Sequence, residues 1–430
     1  MKVESVPPID MPPLRINLRQ AVCALAEALS LVGIDEHQHG ERVAYTAVEI
    51  ARQLDWDERT IGDMFIAGLL HDCGVSSSRV HRALIADMDW EGAILHCVLG
   101  EHYLSQFPPT AHLAPMVRHH HTHWAELAGL DLAPHTALAA NLLFLADRID
   151  VLRAHQLAGG DKSPHELAAA ITAILREHSP SHFAPELVEA FIGAAKNDAF
   201  WYTLAPLELS EYIHTMEREG AEELIRFDDI RHLAQIFARI VDAKSDFTFN
   251  HSVGVASLAR HLAELMEVPS QRIDLIEIAA LLHDLGKLGV PDEVLEKAGP
   301  LTTEEAEVMQ RHSYETFRIL HHIEGFEEIA NWSGNHHETL LGTGYPFHRS
   351  DGELSTEARI IAVADIFQAL VQDRPYRKGM DARTSLQLLE EMAGEGKIDR
   401  DVVGLLGRHL DSCWQSANTK ADEWPLRRVN

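Results

Sequence analysis

The chain has 430 residues, too many for one ordinary core and enough for two or three domains. Asp plus Glu total 66 against 37 Lys plus Arg, a formal charge of −29, which excludes the basic surface that non-specific binding to a nucleic-acid polymer needs. An anionic substrate is not excluded, because a recessed metal site reverses the local field.

At the start, "MKVESVPPIDMPPLRIN" spends Pro7, Pro8, Pro12 and Pro13 on a loose entry and has no apolar core of signal-peptide type. No run of about 18 uncharged apolar residues occurs, so no membrane insertion is expected. The four cysteines (Cys23, Cys73, Cys97 and Cys413) show no CxxC spacing, and so few in a long chain suit a reducing cytosol. A cytoplasmic location is the expectation. From "LRQAVCALAEALSLVG" onward apolar residues recur at helical spacing, and strand-like alternation is scarce. The expected fold is all-α. Histidine is the outlier, with 28 copies. His39 opens "HGERVA", His71 and Asp72 lie in "AGLLHDCG", and His96 opens "HCVLGEHYL". His120 and His121 lie in "MVRHHHTHW", and Asp147 in "FLADRIDVL". Helical segments such as "ELVEAFIGAAKNDAFWYTL" follow, and then the series begins again.

Sliding the chain by 212 residues sets His39 on His251 and "AGLLHDCG" on "AALLHDLG", so that His71 and Asp72 fall on His283 and Asp284. Past a gap, His96 falls on His312, His120 and His121 on His336 and His337, and Asp147 on Asp365. Matches in one order point to duplication rather than chance. The expectation is two tandem helical bundles, over 14–175 and 228–415, joined by a helical connector over 176–227. "SANTKADEWPLRRVN" reads as a loose end.

In the second half, "AALLHDLGKLGVP" puts a charged aspartate in an apolar helix, which is costly unless it is paired or bound to a metal. His283 and Asp284 can face one site, a carboxylate can bridge two ions, and Lys287 lies one turn on, within reach of the same pocket. Asp365 sits in "ARIIAVADIFQALV", apolar on nearly all faces and so buried. Plainer accounts exist for each residue alone. Gly286 could stop a helix, Asp365 could pair with Arg359 or Arg374, and His336 and His337 could sit on a solvated loop tip. The ordered set of five histidines and two aspartates favours metal, and its donors suit iron, manganese or zinc over magnesium or calcium.

The stretches "HDLGKLGVPDEVLEKAGPLTTEE", "HHETLLGTGYP" and "VADIFQALVQDRPYRKGM" resemble the HD-GYP family, a branch of the HD metal-dependent phosphohydrolases, over about residues 230–415. The resemblance implies an all-helical domain, two or three metal ions, and hydrolysis of cyclic dinucleotides by a hydroxide held between the ions. The usual substrate is cyclic di-GMP, giving pGpG and then GMP. Carried over, the ligands are His251, His283, Asp284, His312, His336, His337 and Asp365, with Asp284 bridging. Lys287 matches the lysine that contacts the scissile phosphate, Arg374 and Arg377 match the positions that hold substrate phosphates, and Gly344, Tyr345 and Pro346 are the name-giving loop. The chain departs from the usual pattern at Thr339, Leu340 and Leu341, where Arg or Lys, an apolar residue and Asp are common. Phe247 stands where some members carry a Glu supporting a third metal, so two ions are expected. Gly342 and Gly344 are expected to adopt backbone conformations closed to other residues, with Pro346 stiffening the exit. Glu338 is the candidate to hold the outer nitrogen of a ligand histidine.

The expected activity is thus a cyclic-dinucleotide phosphodiesterase, with 3′,3′-cyclic GMP-AMP as the runner-up substrate. The non-catalytic alternative is a cyclic-dinucleotide receptor or adaptor that engages a GGDEF-domain partner; a homodimer is a further expectation. The first half keeps a residue for every ligand: His39, His71, Asp72, His96, His120, His121 and Asp147. Yet Val75 stands where Lys287 stands, "HHHTHWAELAGL" has no GYP turn, and "DRIDVLRAHQL" offers nothing like "DRPYR". Catalysis is expected to fail there. The expectation is a metal-binding, silent domain serving structure, dimerisation or regulation; the alternative is a degenerate domain whose polar residues bond to one another.

Overall fold

A computed structural model describes residues 15–32, 38–86, 90–219, 224–244, 250–373 and 378–419, and these fold as two helical bundles in tandem. Phe247, Arg374 and Arg377 lie outside the described residues, as do the proline-rich start and the last residues of the chain.

The internal repeat is visible helix by helix. His39–Gln53 and Glu58–Leu70 form a hairpin, and His251–Leu265 and Ser270–Leu282 repeat it with equal helix lengths. Each hairpin packs on a long apolar helix, Pro134–Ala158 in the first half and Thr356–Val371 in the second. These two helices are apolar around most of their circumference because neighbours wrap them on most sides. A further pair completes each bundle: Ile94–Gln106 with Ala114–Arg118, and Thr303–His321 with Glu327–Gly334. The helix starts are written locally. Asp57 caps Glu58–Leu70, Ser355 caps Thr356–Val371, and Thr302 with Glu305 forms a capping box at Thr303–His321.

The halves are bonded to each other. Helix Leu18–Ser30 packs on Glu58–Leu70 of its own half and on Thr303–His321 and the 3₁₀ turn Leu285–Gly289 of the other. Asp292 accepts from Ser77 Oγ at 2.7 Å, Ser78 N at 3.2 Å and Arg79 N at 3.3 Å, and so caps helix Ser78–Ala86 from the opposite half. Lys244 lies 3.6 Å from Asp292 and donates to the Leu288 carbonyl at 2.7 Å. Helices Pro185–Ala195 and Pro206–Glu219 pack on His39–Gln53. Strand Ile16–Asn17 pairs antiparallel with Leu224–Ile225, Ile16 opposite Ile225. Among the described residues no helix is long and apolar enough to cross a membrane.

Candidate metal centres

Helix Ser270–Leu282 ends at His283, and Asp284 opens the turn Leu285–Gly289. Gly286 therefore does not stop the helix; it sits one turn beyond the end. Its role is close approach, since a Cβ there would lie 2.2 Å from the His312 carbonyl oxygen. Gly74 stands in the same relation to the His96 carbonyl, at 2.1 Å. In both halves this glycine lets the third helix press against the His–Asp turn and bring its histidine to the aspartate.

All seven C-terminal candidates meet in one buried cluster. Asp284 is 2% exposed, and its two oxygens face different partners. Oδ2 lies 3.4 Å from His251 Nε2 and 3.3 Å from His283 Nε2. Oδ1 lies 3.5 Å from His312 Nε2 and 3.8 Å from His336 Nε2. Asp365 Oδ1 joins the first group, 3.2 Å from His251 Nε2 and 3.8 Å from His283 Nε2. His337 joins the second, with its ring 5.2 Å from that of His312. Asp365 is thus not neutralised by Arg359, which instead pairs with Asp351 and Asp399.

Outer nitrogens are held by acceptors. His251 Nδ1 faces Gln368 Oε1 at 2.6 Å, and His283, His312 and His336 donate to the carbonyls of Ala280, Met309 and Ser333. With Nδ1 protonated, the neutral rings of His312 and His336 present an Nε2 lone pair inward, whereas at His251 burial is outweighed by Asp284 and Asp365, which raise it to about 10. His312 Nε2 then faces His336 Nε2 at 3.3 Å with no proton between, and buried Asp284 Oδ1 has no hydrogen-bond partner. Such a donor set is unfavourable alone and fits divalent transition-metal ions. Burial lowers His312 to about 3 and His337 to about 4, so both rings are the neutral form that ligates. Burial works against ionised Asp284, but His283 and Lys287 hold it well below the usual carboxylate range.

Lys287 lies beside the cluster, with Nζ 2.5 Å from Asp284 Oδ2. The GYP loop packs directly on the ligand pair. Gly344 has no left-handed backbone; it is required because a Cβ would lie 2.4 Å from the His337 carbonyl and 2.5 Å from Glu338 Cα. Gly342 alone of the two has positive φ, +71°. Tyr345 lays its ring against that of His337, with centroids 4.9 Å apart, and its N–H donates to the His337 carbonyl. The loop clamps His337. Glu338 does not reach a ligand histidine; it accepts from Phe347 N at 2.6 Å and Arg349 N at 3.1 Å and closes the loop from inside. Thr339 is likewise used internally, accepting from Thr343 N.

The N-terminal candidates also converge. Asp72 Oδ1 lies 3.3 Å from His96 Nε2 and 3.8 Å from His120 Nε2, and Oδ2 lies 3.5 Å from His71 Nε2. Asp147 lies 3.4 Å from His39 and 3.7 Å from His121. Around them the chemistry has changed. Arg148 bonds Asp147 at 2.8 Å, and Asp150 takes the place of Gln368, binding Arg42 Nε at 2.6 Å and His39 Nδ1 at 2.8 Å. His81 and Val75 crowd the side where Lys287 stands in the other half. The cavity they share with His39, His71 and Asp72 is about 30 Å³, roofed by Ala26, Leu29 and Ser30. A cleft of about 1350 Å³ lies between Leu18–Ser30, Pro206–Glu219 and Thr303–His321 and contains none of the candidate ligands. Sequence reading missed Gln368, Asp150, Arg42, Arg148, His81 and Cys97. Gln368 and Asp150 were readable in principle, since each lies three residues beyond the last aspartate, on the same helical face.

A His–Asp pair at a helix end, met by histidines from three other helical segments and an aspartate from a central helix, defines the HD type of metal-dependent hydrolase domain, here present twice. The chain belongs to the HD family, in its HD-GYP branch: models of the HD domain match residues 37–152 and 235–402. The 3′3′-cGAMP-specific phosphodiesterase 1 of Vibrio cholerae is 34% identical over 414 residues, 95% of this chain and 96% of that one. Cyclic di-GMP phosphodiesterase PA4108 of Pseudomonas aeruginosa is 29% identical over 54% of this chain and 58% of its own. The crystal structure of a cyclic GMP-AMP specific phosphodiesterase of V. cholerae, V-cGAP3, covers 93% of this chain and 98% of that one with a TM-score of 0.64. At 24% identity that likeness is one of fold.

Proposed function

We propose that the C-terminal half hydrolyses a phosphodiester bond of a 3′,3′-cyclic dinucleotide and that the N-terminal half takes no part in the chemistry. The observation that carries this is Asp284, buried between two groups of inward-facing imidazoles with one oxygen toward each. His251, His283, Asp284, His312, His336, His337 and Asp365 would hold two divalent ions, iron or manganese before zinc. When bound, such ions polarise the phosphate and lower the pKa of water toward neutrality.

The chain's own groups do the rest. Lys287 is a point charge next to Asp284 and is placed to stabilise negative charge gathering on the phosphoryl oxygens. Tyr345 and the Gly344 backbone keep His337 in position. Arg374 and Arg377 are the proposed phosphate clamp. An intact ligand set with Lys287 beside it favours turnover over a receptor, which has no use for a charge-stabilising ammonium at the metals. Of the two substrates, 3′,3′-cyclic GMP-AMP is favoured by the relative that matches along the full chain, while cyclic di-GMP is named for several that match over about half. The proposed division is 14–175, 176–227 and 228–415, with the middle stretch riding on the N-terminal bundle. A cytoplasmic site of action, a GGDEF-domain partner and a homodimer complete the proposal.

The test is anaerobic turnover of both cyclic dinucleotides by manganese- and iron-loaded protein, with products identified by mass. Linear dinucleotide or mononucleotide from either substrate supports the reading. Metal-loaded protein that binds both and cleaves neither establishes the receptor instead.

A further inference from the structure

The N-terminal cluster differs from the C-terminal one at two places that together change what it can hold. Next to His312 stands Ser313, whose Oγ lies 3.2 Å from His312 Nε2. Next to His96 stands Cys97, buried, with Sγ 3.7 Å from His96 Nε2. The Cys97 sulfur and a ring nitrogen from each of His96 and His120 lie within 4.8 Å of one another. The second change is Arg148, which follows Asp147 where Ile366 follows Asp365, and whose guanidinium is bonded to Asp147.

Charge then decides the occupancy. Asp147 with Arg148, and Asp150 with Arg42 and Arg153, are already compensated without any ion. What remains on the other side is Asp72, the Cys97 thiol and the rings of His71, His96 and His120. One carboxylate and one thiolate balance a single divalent cation; a second cation beside Arg148 would be uncompensated. The polar atoms there call for such a partner. His71 is 1% exposed, donates Nδ1 to the Gly68 carbonyl and leaves Nε2 without a hydrogen bond. Asp72 Oδ1 is buried and equally without one. His96 Nε2 and His120 Nε2 face each other at 3.1 Å, and His120 Nδ1 donates to the Val117 carbonyl.

We infer that the N-terminal half is a one-ion site for a soft, thiolate-preferring divalent metal of the zinc class, held by His96, Cys97, His120 and Asp72. Sulfur with two imidazoles and a carboxylate is a tetrahedral zinc donor set, whereas the C-terminal cluster offers nitrogen and oxygen alone. Binding releases the thiol proton to solvent. The ion ties helix Ile94–Gln106 to the His119–His121 loop and to the His71–Asp72 helix end, and Ser77 and Ser78, a few residues on, carry the bond to Asp292 of the catalytic half. The two halves would therefore carry different metals.

The experiment is cobalt(II) substitution of the full chain, read by absorption spectroscopy, with elemental analysis alongside. The intact protein should show a thiolate-to-cobalt charge-transfer band in the near ultraviolet. Cys97→Ser should remove the band, lower bound zinc by about one ion per chain and leave phosphodiesterase turnover unchanged. His336→Ala, which breaks the other centre, should abolish turnover and keep the band, so that failure of this inference and failure of the catalytic assignment give different results. No band in the folded, cobalt-loaded wild-type chain overturns the inference whatever the variant does. A band that survives Cys97→Ser overturns it as well.

Discussion

Three residues beyond the last aspartate, the C-terminal half carries Gln368 and the N-terminal half Asp150, and each meets Nδ1 of the first histidine. The glutamine is neutral and leaves the site's charge to be balanced by ions. The aspartate adds a charge, and Arg42 answers it from within the protein. The same replacement of an external cation by an internal one occurs at Asp147, through Arg148. The two clusters thus share backbone positions and seven side chains and differ in who supplies the positive charge. An HD motif by itself does not report an active centre; the residues beside the ligands do.

The sharpest break between the halves is at the equivalent aspartates. Asp284→Ala removes the group that faces both sets of imidazoles, and turnover should fall below detection with loss of bound metal. His71→Ala/Asp72→Ala should lower bound metal and leave substantial turnover. Paired activity assays and elemental analysis read both, and loss of hydrolysis in the folded double variant would put the N-terminal half into catalysis.

Next in size is Lys287→Ala. Metal should stay bound while turnover falls by about 10²–10³, the loss typical of one preorganised charge-stabilising group. Val75→Lys in the other half should create no activity, because Arg148 already pairs with Asp147 there. Loss of metal from Lys287→Ala would show that the lysine holds the ligand Asp284 rather than the substrate.

Gly344→Ala probes the clamp on His337. The added methyl group meets the His337 carbonyl, so that ring must move, and a displacement on the order of 1 Å costs up to about 100-fold in rate. The first half has no counterpart of this loop. Intact turnover with full metal occupancy in the variant would show that the loop serves only substrate access.

How much of this could be read from the sequence depended on periodicity and order. The all-α fold and the tandem repeat were legible because His39, His71, His251 and His283 keep an unbroken register and helical spacing surrounds them. The seven C-terminal residues were legible because polar groups in apolar helices are expensive and come in a recognisable order. Gly344 was assigned the wrong physical reason: sequence suggests a conformational need, and only packing shows a close approach. Glu338 was misplaced because a carboxylate next to a ligand pair looks like its support, whereas backbone amides nine and eleven residues on compete for it. Cys97, Arg42 and Arg148 escaped notice because nothing in a one-dimensional pattern tells a thiol or guanidinium aimed at a cluster from one in an ordinary core.

The smallest expected effect lies at the joint between the halves. Asp292→Ala should cost about 1 kcal/mol for the helix cap and more because buried Lys244 loses its carboxylate, measured by denaturant unfolding, with little direct effect on turnover. No change in stability would mean that the contact with Ser77 and Ser78 is replaced by solvent at no cost.

That cap also has a history within each molecule's synthesis. Helix Ser78–Ala86 is made first, and the carboxylate that completes its end follows 214 residues later. At roughly 5–20 residues per second, that helix waits on the order of ten seconds or more with only the local Ser77 hydroxyl, which accepts from Arg79 N and Val80 N, to cap it. Ile16 and Asn17 wait similarly for Leu224 and Ile225. The early half therefore gains these contacts at the start of helix Ser78–Ala86 only when the late-made half emerges.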